Sequence, residues 1–395
     1  MYQVLPYDLK SKKITTNINN INPGMIYVDI SIKSKDDFYT AYNKGASLII
    51  TEKSIYELNL PIIKVKDIEK TYLKLLDILY DNPLEKASFI PIFGGNRGNV
   101  VAKILESIFK KSYFKENQYS NLFDLSLFTV PIIYNFYVEG FFYYVLDCIV
   151  HNFSIIPIPF DSNYYSLESV ISKNSECMII VECTTPNMIN IDNNKPGKPV
   201  IINIDEPYAL TMINGKNDNV IITYGLSKKA AVTATSIDYG ECTSFNYCLQ
   251  RTFYSRTGNK IEPFEAPLSI KGLGINRIYA ALASISCALY YDVDLKSIKD
   301  SLLDYSEKGR DFIIKKYDNF TLVDNYCATY LDYKESFEMV QFLDYQGLYL
   351  LLSDKLICEE EGDFTIVNSI YETAINLNIK GIIITNCTEN KRINE

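Results

Sequence analysis

Ser88-Phe-Ile-Pro-Ile-Phe93, followed at once by Gly94-Gly-Asn-Arg-Gly-Asn-Val100, decides how the rest of the chain is read. The first six residues form a short apolar run, the pattern of a buried strand. The glycines make a turn, and a helix pattern follows over about Asn99 to Lys111. A phosphate-binding loop belongs between such a strand and helix. Glycines let the backbone approach an anion, and the helix N-terminus offers free N–H donors. Gly94, Gly95, Asn96, Arg97, Gly98 and Asn99 are therefore candidates for holding a nucleotide or another anion. A complete loop ends in G-K-[ST], with the lysine on the outer phosphates and the hydroxyl on Mg²⁺. Gly98 and Asn99 stand at those two places and bring neither group. Arg97, one residue early, is a cation that could pair with an anion. A plain strand-to-helix turn with no ligand is the other reading.

Short β-branched runs continue on the C-terminal side, at Cys177 to Glu182, Pro199 to Asn203 and Val220 to Tyr224. Such runs between turn signals suit a parallel sheet. The spacing predicts helices over Ile275 to Tyr291, with alanines at 280, 281, 283 and 288, and over Leu295 to Leu303. On the N-terminal side, strands are expected at Met25 to Ile30, Ala46 to Thr51 and Pro61 to Val65. Helices are expected at Asp36 to Lys44 and Ile68 to Tyr80, and Asp81-Asn82-Pro83 ends that unit. Beyond Arg310 the pattern is β-α-β-α-β, with strands at Phe320 to Asp324, Leu348 to Leu352 and Gly381 to Thr385. The intervening helices are at Tyr333 to Leu343 and Thr365 to Leu377. A doubly wound sheet normally has five or six strands, so this last unit reads as a short version.

A length of 395 residues fits two or three domains. The longest apolar candidate, around Phe136 to Ile149, carries Glu139 and Asp147, and no run reaches the roughly 18–20 residues of a membrane span. The first residues lack the basic-then-apolar order of a signal peptide. A cytoplasmic location is expected, with the nine cysteines as reduced thiols. A formal net charge of −9 disfavours nucleic acid as a partner. With one histidine, His151, a His-rich metal site is excluded, and a Ser/His/Asp triad would have to use that residue.

A set of motifs, in order, resembles one known family. Pro23 to Ile30 and Gly45 to Glu52 match its N-terminal domain. Asp81-Asn-Pro83 through Asn96 match the entry to a nucleotide loop that reads G-T-N-G-K-T-T. Asn203-Ile-Asp-Glu206, Ile222-Thr-Tyr-Gly225 and Ala231-Val-Thr-Ala234 match its later central strands. Pro267-Leu268 with Gly272 and Asn276, then Ala280 to Leu295, matches its G-x-F-N-x-x-N-x-x-A-A helix, with Asn276 as the first asparagine. Glu307-Lys-Gly-Arg-Asp311 matches its G-R-M-E linker, and Leu322-Val-Asp324 its V-D-Y-A-H strand. The chain resembles the Mur ligase family, and most of all the members that add the third amino acid to the UDP-N-acetylmuramoyl dipeptide of peptidoglycan. The resemblance implies an α/β fold in three domains. Residues 1–84 would be a UDP-substrate-type domain and 85–306 an ATPase-type domain with a P-loop-type parallel sheet. Residues 307–395 would be a truncated Rossmann-like domain. It also implies ATP and Mg²⁺ as cofactors if the family activity is retained. Asn276, Arg310 and Asp324 would be candidate nucleotide-binding residues and Glu182 a candidate metal ligand.

The departures from the family pattern fall at the chemistry. The family's uridine-contacting D-S-R reads Asn17-Ile18-Asn19, the loop lysine and threonine are Gly98 and Asn99, and the second asparagine of the helix is Tyr279. Losing one preorganised charge-stabilising donor costs about 10²–10³ in rate. The expectation is a ligase homologue that no longer turns over ATP and acts by binding a protein partner or an anionic ligand. Self-association through the short C-terminal sheet is one form of this, because an open sheet edge invites pairing. The alternative is a divergent ATP-dependent amide ligase acting on a peptidoglycan-precursor-like or non-UDP acid. Glu182, Asp205, Arg310 and Asp324 could also be kept for structure alone.

Overall fold

A computed structural model describes residues 14–30, 36–54, 59–113, 137–150, 153–160, 171, 174–182, 197–209, 211, 220–239, 242–272, 274–305, 313–324, 336–343, 345–353 and 377–385. Arg310, His151 and nearly all of the helix expected at Thr365 to Leu377 lie outside them.

The chain opens with a four-stranded sheet of β1 (Ile14–Thr15), β2 (Ile26–Val28), β3 (Leu48–Thr51) and β4 (Ile62–Lys64), all parallel and in sequence order. Strand β1 was not expected. Helix α1 (Asp36–Asn43) covers one face, where Phe38 and Ala41 pack with Tyr27 and Ile49. Helix α2 (Ile68–Leu79) starts where Asp67 Oδ1 accepts the Lys70 N–H at 2.8 Å, an N-cap, and it buries Ile68, Tyr72, Leu73 and Leu76. It stops at Asp81 and Asn82, both at positive φ, and Pro83 begins the short helix α3 (Pro83–Lys86).

The central sheet follows: β5 (Ser88–Phe93), β6 (Ile155–Phe160), β7 (Met178–Ile180), β8 (Pro199–Asn203), β9 (Val220–Tyr224), β10 (Val232–Tyr239) and β11 (Cys242–Leu249). A small hairpin of β12 (Phe253–Tyr254) and β13 (Lys260–Ile261) precedes the last strand, β14 (Phe264–Lys271). The order is β14-β11-β10-β9-β8-β7-β5-β6. Strands β5 to β10 run parallel, and β11 and β14 add an antiparallel edge. That edge was not expected. Its signal is visible in β11, where Thr243, Phe245, Tyr247 and Leu249 are buried and the residues between them half-buried, the period-2 alternation of a one-faced strand. From β5 the chain winds to β6 on one side and returns to β7 on the other. The crevice outside the carboxyl ends of strands at such a reversal is where open α/β sheets bind ligands.

Helix α4 (Gly95–Tyr113) leaves β5 and buries Val101, Ala102, Ile104, Leu105, Ile108 and Phe109 at helical spacing. The apolar stretch at 136–149 is largely helix α5 (Tyr137–Val150), packed against α2 and α3 rather than spanning a bilayer. Among the described residues no helix is long and apolar enough to cross a membrane. Helix α6 (Ile275–Tyr290) packs on α4, its small residues Ala280, Ala281, Ala283 and Ala288 all buried. Ser284 Oγ of α6 donates to the Val101 carbonyl of α4 at 3.4 Å. Helix α7 (Leu295–Asp304) is capped by Asp294, whose Oδ1 accepts the Ser297 N–H at 2.9 Å.

The C-terminal part differs from the single three-stranded sheet expected. Strands β15 (Ile313–Lys316) and β16 (Thr321–Asp324) form an antiparallel hairpin, and β17 (Leu348–Ser353) and β18 (Ile379–Thr385) form a separate parallel pair. The tight turn at 317–320, where the Tyr317 and Phe320 rings stack at 4.6 Å, gives β16 a hairpin partner. Residues 336–340 are helical, and Phe337 packs with Leu377 under β17.

Candidate functional site

The carboxyl ends of β5, β7, β8 and β9 bring the candidate residues together. Gly94 is the single residue between β5 and α4. Its φ is +149°, and a Cβ there would sit 2.7 Å from Val181 Cβ and 3.0 Å from the Glu182 nitrogen. Only glycine lets the two strand ends close, which they do through the Val181 N–H to the Phe93 carbonyl at 2.8 Å. The backbone of Glu182 therefore lies beside Gly94, with its side chain half-buried.

The helix begins earlier than the sequence pattern implied. Gly95 is its first residue, not Asn99, because the Gly98 N–H donates to the Gly94 carbonyl at 2.9 Å and makes the glycine stretch a regular first turn. An N–H that a phosphate cradle would point at its ligand is spent inside the helix. Gly98 lies against β5, its missing Cβ 3.4 Å from the Ile92 carbonyl, and Asn99 is half-buried.

Arg97 leaves this first turn and pairs with Glu206 on the segment after β8, Nη1 donating to Oε1 at 3.3 Å. The two side chains are 18% and 15% exposed, so the pair is largely withdrawn from water. Asp205, next to Glu206, accepts from the Leu226 and Ser227 backbone N–H groups and, at 2.9 Å, from Tyr279 Oη. Gly225 makes room for this: its φ is +155°, and a Cβ would stand 2.6 Å from Asp205 Oδ2. Asn203 ties the segment down. Its Nδ2 donates to the Val181 carbonyl at 3.2 Å, and its Oδ1 accepts the Asp205 N–H at 3.1 Å. Beneath them Tyr224 is fully buried, its hydroxyl donating to the Ile180 carbonyl at 3.5 Å. Burial pushes the Tyr224 phenol well above its ordinary range. Burial, and then the hydrogen bond to Asp205, do the same for Tyr279, so both remain neutral donors at physiological pH.

Asn276 is half-buried in the first turn of α6, one turn before Tyr279 and on the same side of the helix. Asp324 ends β16, exposed, opposite Ile313; among the described residues no hydrogen bond or ion pair joins it to the cluster. Glu206, Gly225 and Tyr224 were not singled out as site residues. The available signal was their place directly after, or at the end of, the β-branched runs that form β8 and β9. Among the described residues no group of three or more His, Cys, Asp and Glu side chains is placed to hold a metal ion.

At the N-terminal sheet, Asn17 caps a short 3₁₀ turn (Ile18–Asn20), its Oδ1 accepting the Asn19 N–H at 2.9 Å. Lys44 Nζ donates to the Ile18 carbonyl at 3.0 Å.

No family model matches the chain. It is 23% identical over 308 residues to a UDP-N-acetylmuramoyl-L-alanyl-D-glutamate–2,6-diaminopimelate ligase of Caldanaerobacter subterraneus subsp. tengcongensis, a match that covers 73% of this chain and 58% of that relative. It is 25% identical over 347 residues to the ligase of the same name from Clostridium botulinum, covering 80% and 68%. Against that first relative, then, the chain spans less than two thirds of the length. Among solved structures, the MurF ligase of Thermotoga maritima in complex with ADP superposes with a TM-score of 0.60 at 14% identity, over 97% of this chain and 90% of that one. The resemblance in motif order is thus matched by resemblance in sequence and in fold.

Proposed function

The chain is a Mur ligase-like protein in sequence and fold, and from that premise we propose that it does not turn over ATP and acts by binding. The observation that carries this reading is the pairing at the strand ends. ATP with Mg²⁺ needs a loop whose N–H groups face the phosphates, a lysine on the outer phosphates and a hydroxyl on the metal. The Gly98 N–H bonds to the Gly94 carbonyl, Arg97 is paired to Glu206, and Asp205 already accepts from three donors. Glycine and asparagine occupy the lysine and hydroxyl positions. These residues do not fit the group. Phosphoryl transfer is almost wholly positioning and charge stabilisation, so a site without the placed cation lacks most of the catalyst. The D-S-R position points the same way, since Asn17 spends its side chain on its own turn.

A protein partner or a second copy is the ligand class favoured. Tyr349, Leu351 and Ile383 are exposed on one face of the β17–β18 pair, and Phe342 is exposed nearby in sequence. Exposed aromatic and aliphatic side chains of this kind are the anchors of protein interfaces. A cytoplasmic location accords with this reading.

The decisive assay supplies Mg²⁺·ATP, the UDP-N-acetylmuramoyl dipeptide and diaminopimelate, and follows ADP release. No release is expected. Release that disappears in Glu182→Ala would establish the other reading, a divergent amide ligase. Light scattering across a concentration series tests self-association, and a strictly monomeric chain that captures no partner would count against the binding role.

A further inference from the structure

We propose that the Glu206 carboxylate is a tethered anion that fills the anion position at the mouth of the central sheet and keeps external oxyanions out. The proposal rests on the reading that the chain holds no nucleotide, and it names what holds the place instead. Arg97 projects from the first turn of α4, and its guanidinium is a fixed fork of donors suited to carboxylate or phosphate. Across the crevice Glu206 presents its carboxylate 3.3 Å away, both groups more than four-fifths withdrawn from solvent. The neighbouring carboxylate behaves alike. Asp205 is seated on the backbone N–H groups of Leu226 and Ser227 with the Tyr279 hydroxyl as third donor, an arrangement of donors that otherwise suits a bound oxyanion. Two adjacent residues of one short segment thus supply both anions. Asn203 fixes that segment to Val181, just past β7, so the carboxylates are delivered with little conformational freedom left to lose.

Tethering gives Glu206 a large advantage. A group held on a short linker acts at an effective concentration of order millimolar or more, so free phosphate must exceed that to compete for Arg97. Removing the charge while keeping the shape should open the position. With that charge gone, an external oxyanion takes its place beside Arg97.

The experiment follows thermal unfolding of the full chain against inorganic phosphate, in the wild type, Glu206→Gln and the double variant Arg97→Ala/Glu206→Gln. Mg²⁺·ATP is run in parallel on the wild type. Phosphate should raise the midpoint of Glu206→Gln by about 2 °C at ten times its dissociation constant, and further with the logarithm of its concentration. It should leave the wild type and the double variant unmoved. A folded Glu206→Gln that ignores phosphate, or a wild type that responds as strongly as the variant, would overturn the proposal. If Glu206→Gln does not fold, Glu206→Asp decides. Its carboxylate is one methylene short of Arg97, so phosphate should stabilise it, and indifference would sink the idea. Stabilisation of the wild type by Mg²⁺·ATP would instead overturn the reading of function on which this rests.

Discussion

Asp29 leaves β2 and Asp205 lies just beyond β8, each at the carboxyl end of a parallel sheet, yet their surroundings differ. Asp205 accepts from two backbone N–H groups and a tyrosine hydroxyl. Asp29 is 6% exposed, accepts from Thr51 Oγ1 at 3.0 Å and faces Lys53 Nζ at 3.4 Å, but its Oδ1 is buried without a hydrogen-bond partner among the described residues. Burial pushes the Asp29 carboxyl above its ordinary range, in spite of Thr51 and Lys53, which pull it down. Topology therefore decides where polar groups gather, and the local donor count decides whether gathering them stabilises the fold or costs it.

The largest effect should come from the room made for Asp205. Gly225→Ala places a Cβ where the carboxylate stands, at a φ that L-residues rarely adopt. A loss of about 3 kcal/mol is expected, read from denaturant unfolding. A loss no greater than that of an exposed substitution would remove the contrast between the two sites. Next is Arg97→Ala, which takes the Arg97 guanidinium away from a Glu206 carboxylate that is 15% exposed. A fully buried pair broken on one side costs about 3–5 kcal/mol, and the residual exposure brings the expected loss to about 2 kcal/mol. A double-mutant cycle with Glu206→Ala should recover part of it, whereas strict additivity would mean that the two side chains do not interact.

Tyr279→Phe removes one of the three donors to Asp205 and keeps the ring. The expected loss is about 1 kcal/mol, because the two backbone donors remain. The smallest effect carries the opposite sign. A carboxyl whose folded pKa is raised binds more protons in the folded state than in the unfolded one, so stability falls as pH rises from the ordinary aspartate value of 3.8 through the folded pKa. At neutral pH the Asp29 charge is therefore a net cost. Asp29→Asn should raise the unfolding midpoint slightly at pH 7, with the gain vanishing below about pH 3.8. A gain that persisted in acid would place its origin elsewhere.

Much of the fold was legible because it is written in burial patterns. Ser88 to Phe93, Pro199 to Asn203 and Val220 to Tyr224 are continuous apolar runs, and each is a parallel strand of the central sheet. Asp81-Asn82-Pro83 ends a helix through positive φ and a proline, which is local chemistry. The antiparallel edge was missed although β11 alternates cleanly, since cysteine, serine and asparagine at its half-buried positions disguise the period. Of the C-terminal strands, β16, β17 and β18 were expected; β15 and the pairings were not, because partner choice there depends on a hairpin turn rather than on the strands. At the candidate site the loop was located from the sequence and its missing lysine was read directly. The pairing of Arg97 with Glu206, 109 residues apart, was not legible, since nothing in either neighbourhood specifies the other. Tyr279 showed only as a departure from an asparagine, and its hydroxyl acquires meaning once Asp205 is placed 2.9 Å away.

On the proposed reading, the strand ends are satisfied by the chain's own groups and no place is left for nucleotide. Isothermal calorimetry of the wild type with ATP, with and without Mg²⁺, tests it most directly. No heat of binding at millimolar nucleotide is the predicted result. Magnesium-dependent binding tighter than about 0.1 mM, roughly −5.5 kcal/mol, would contradict it and return the chain to the ATP-dependent ligases.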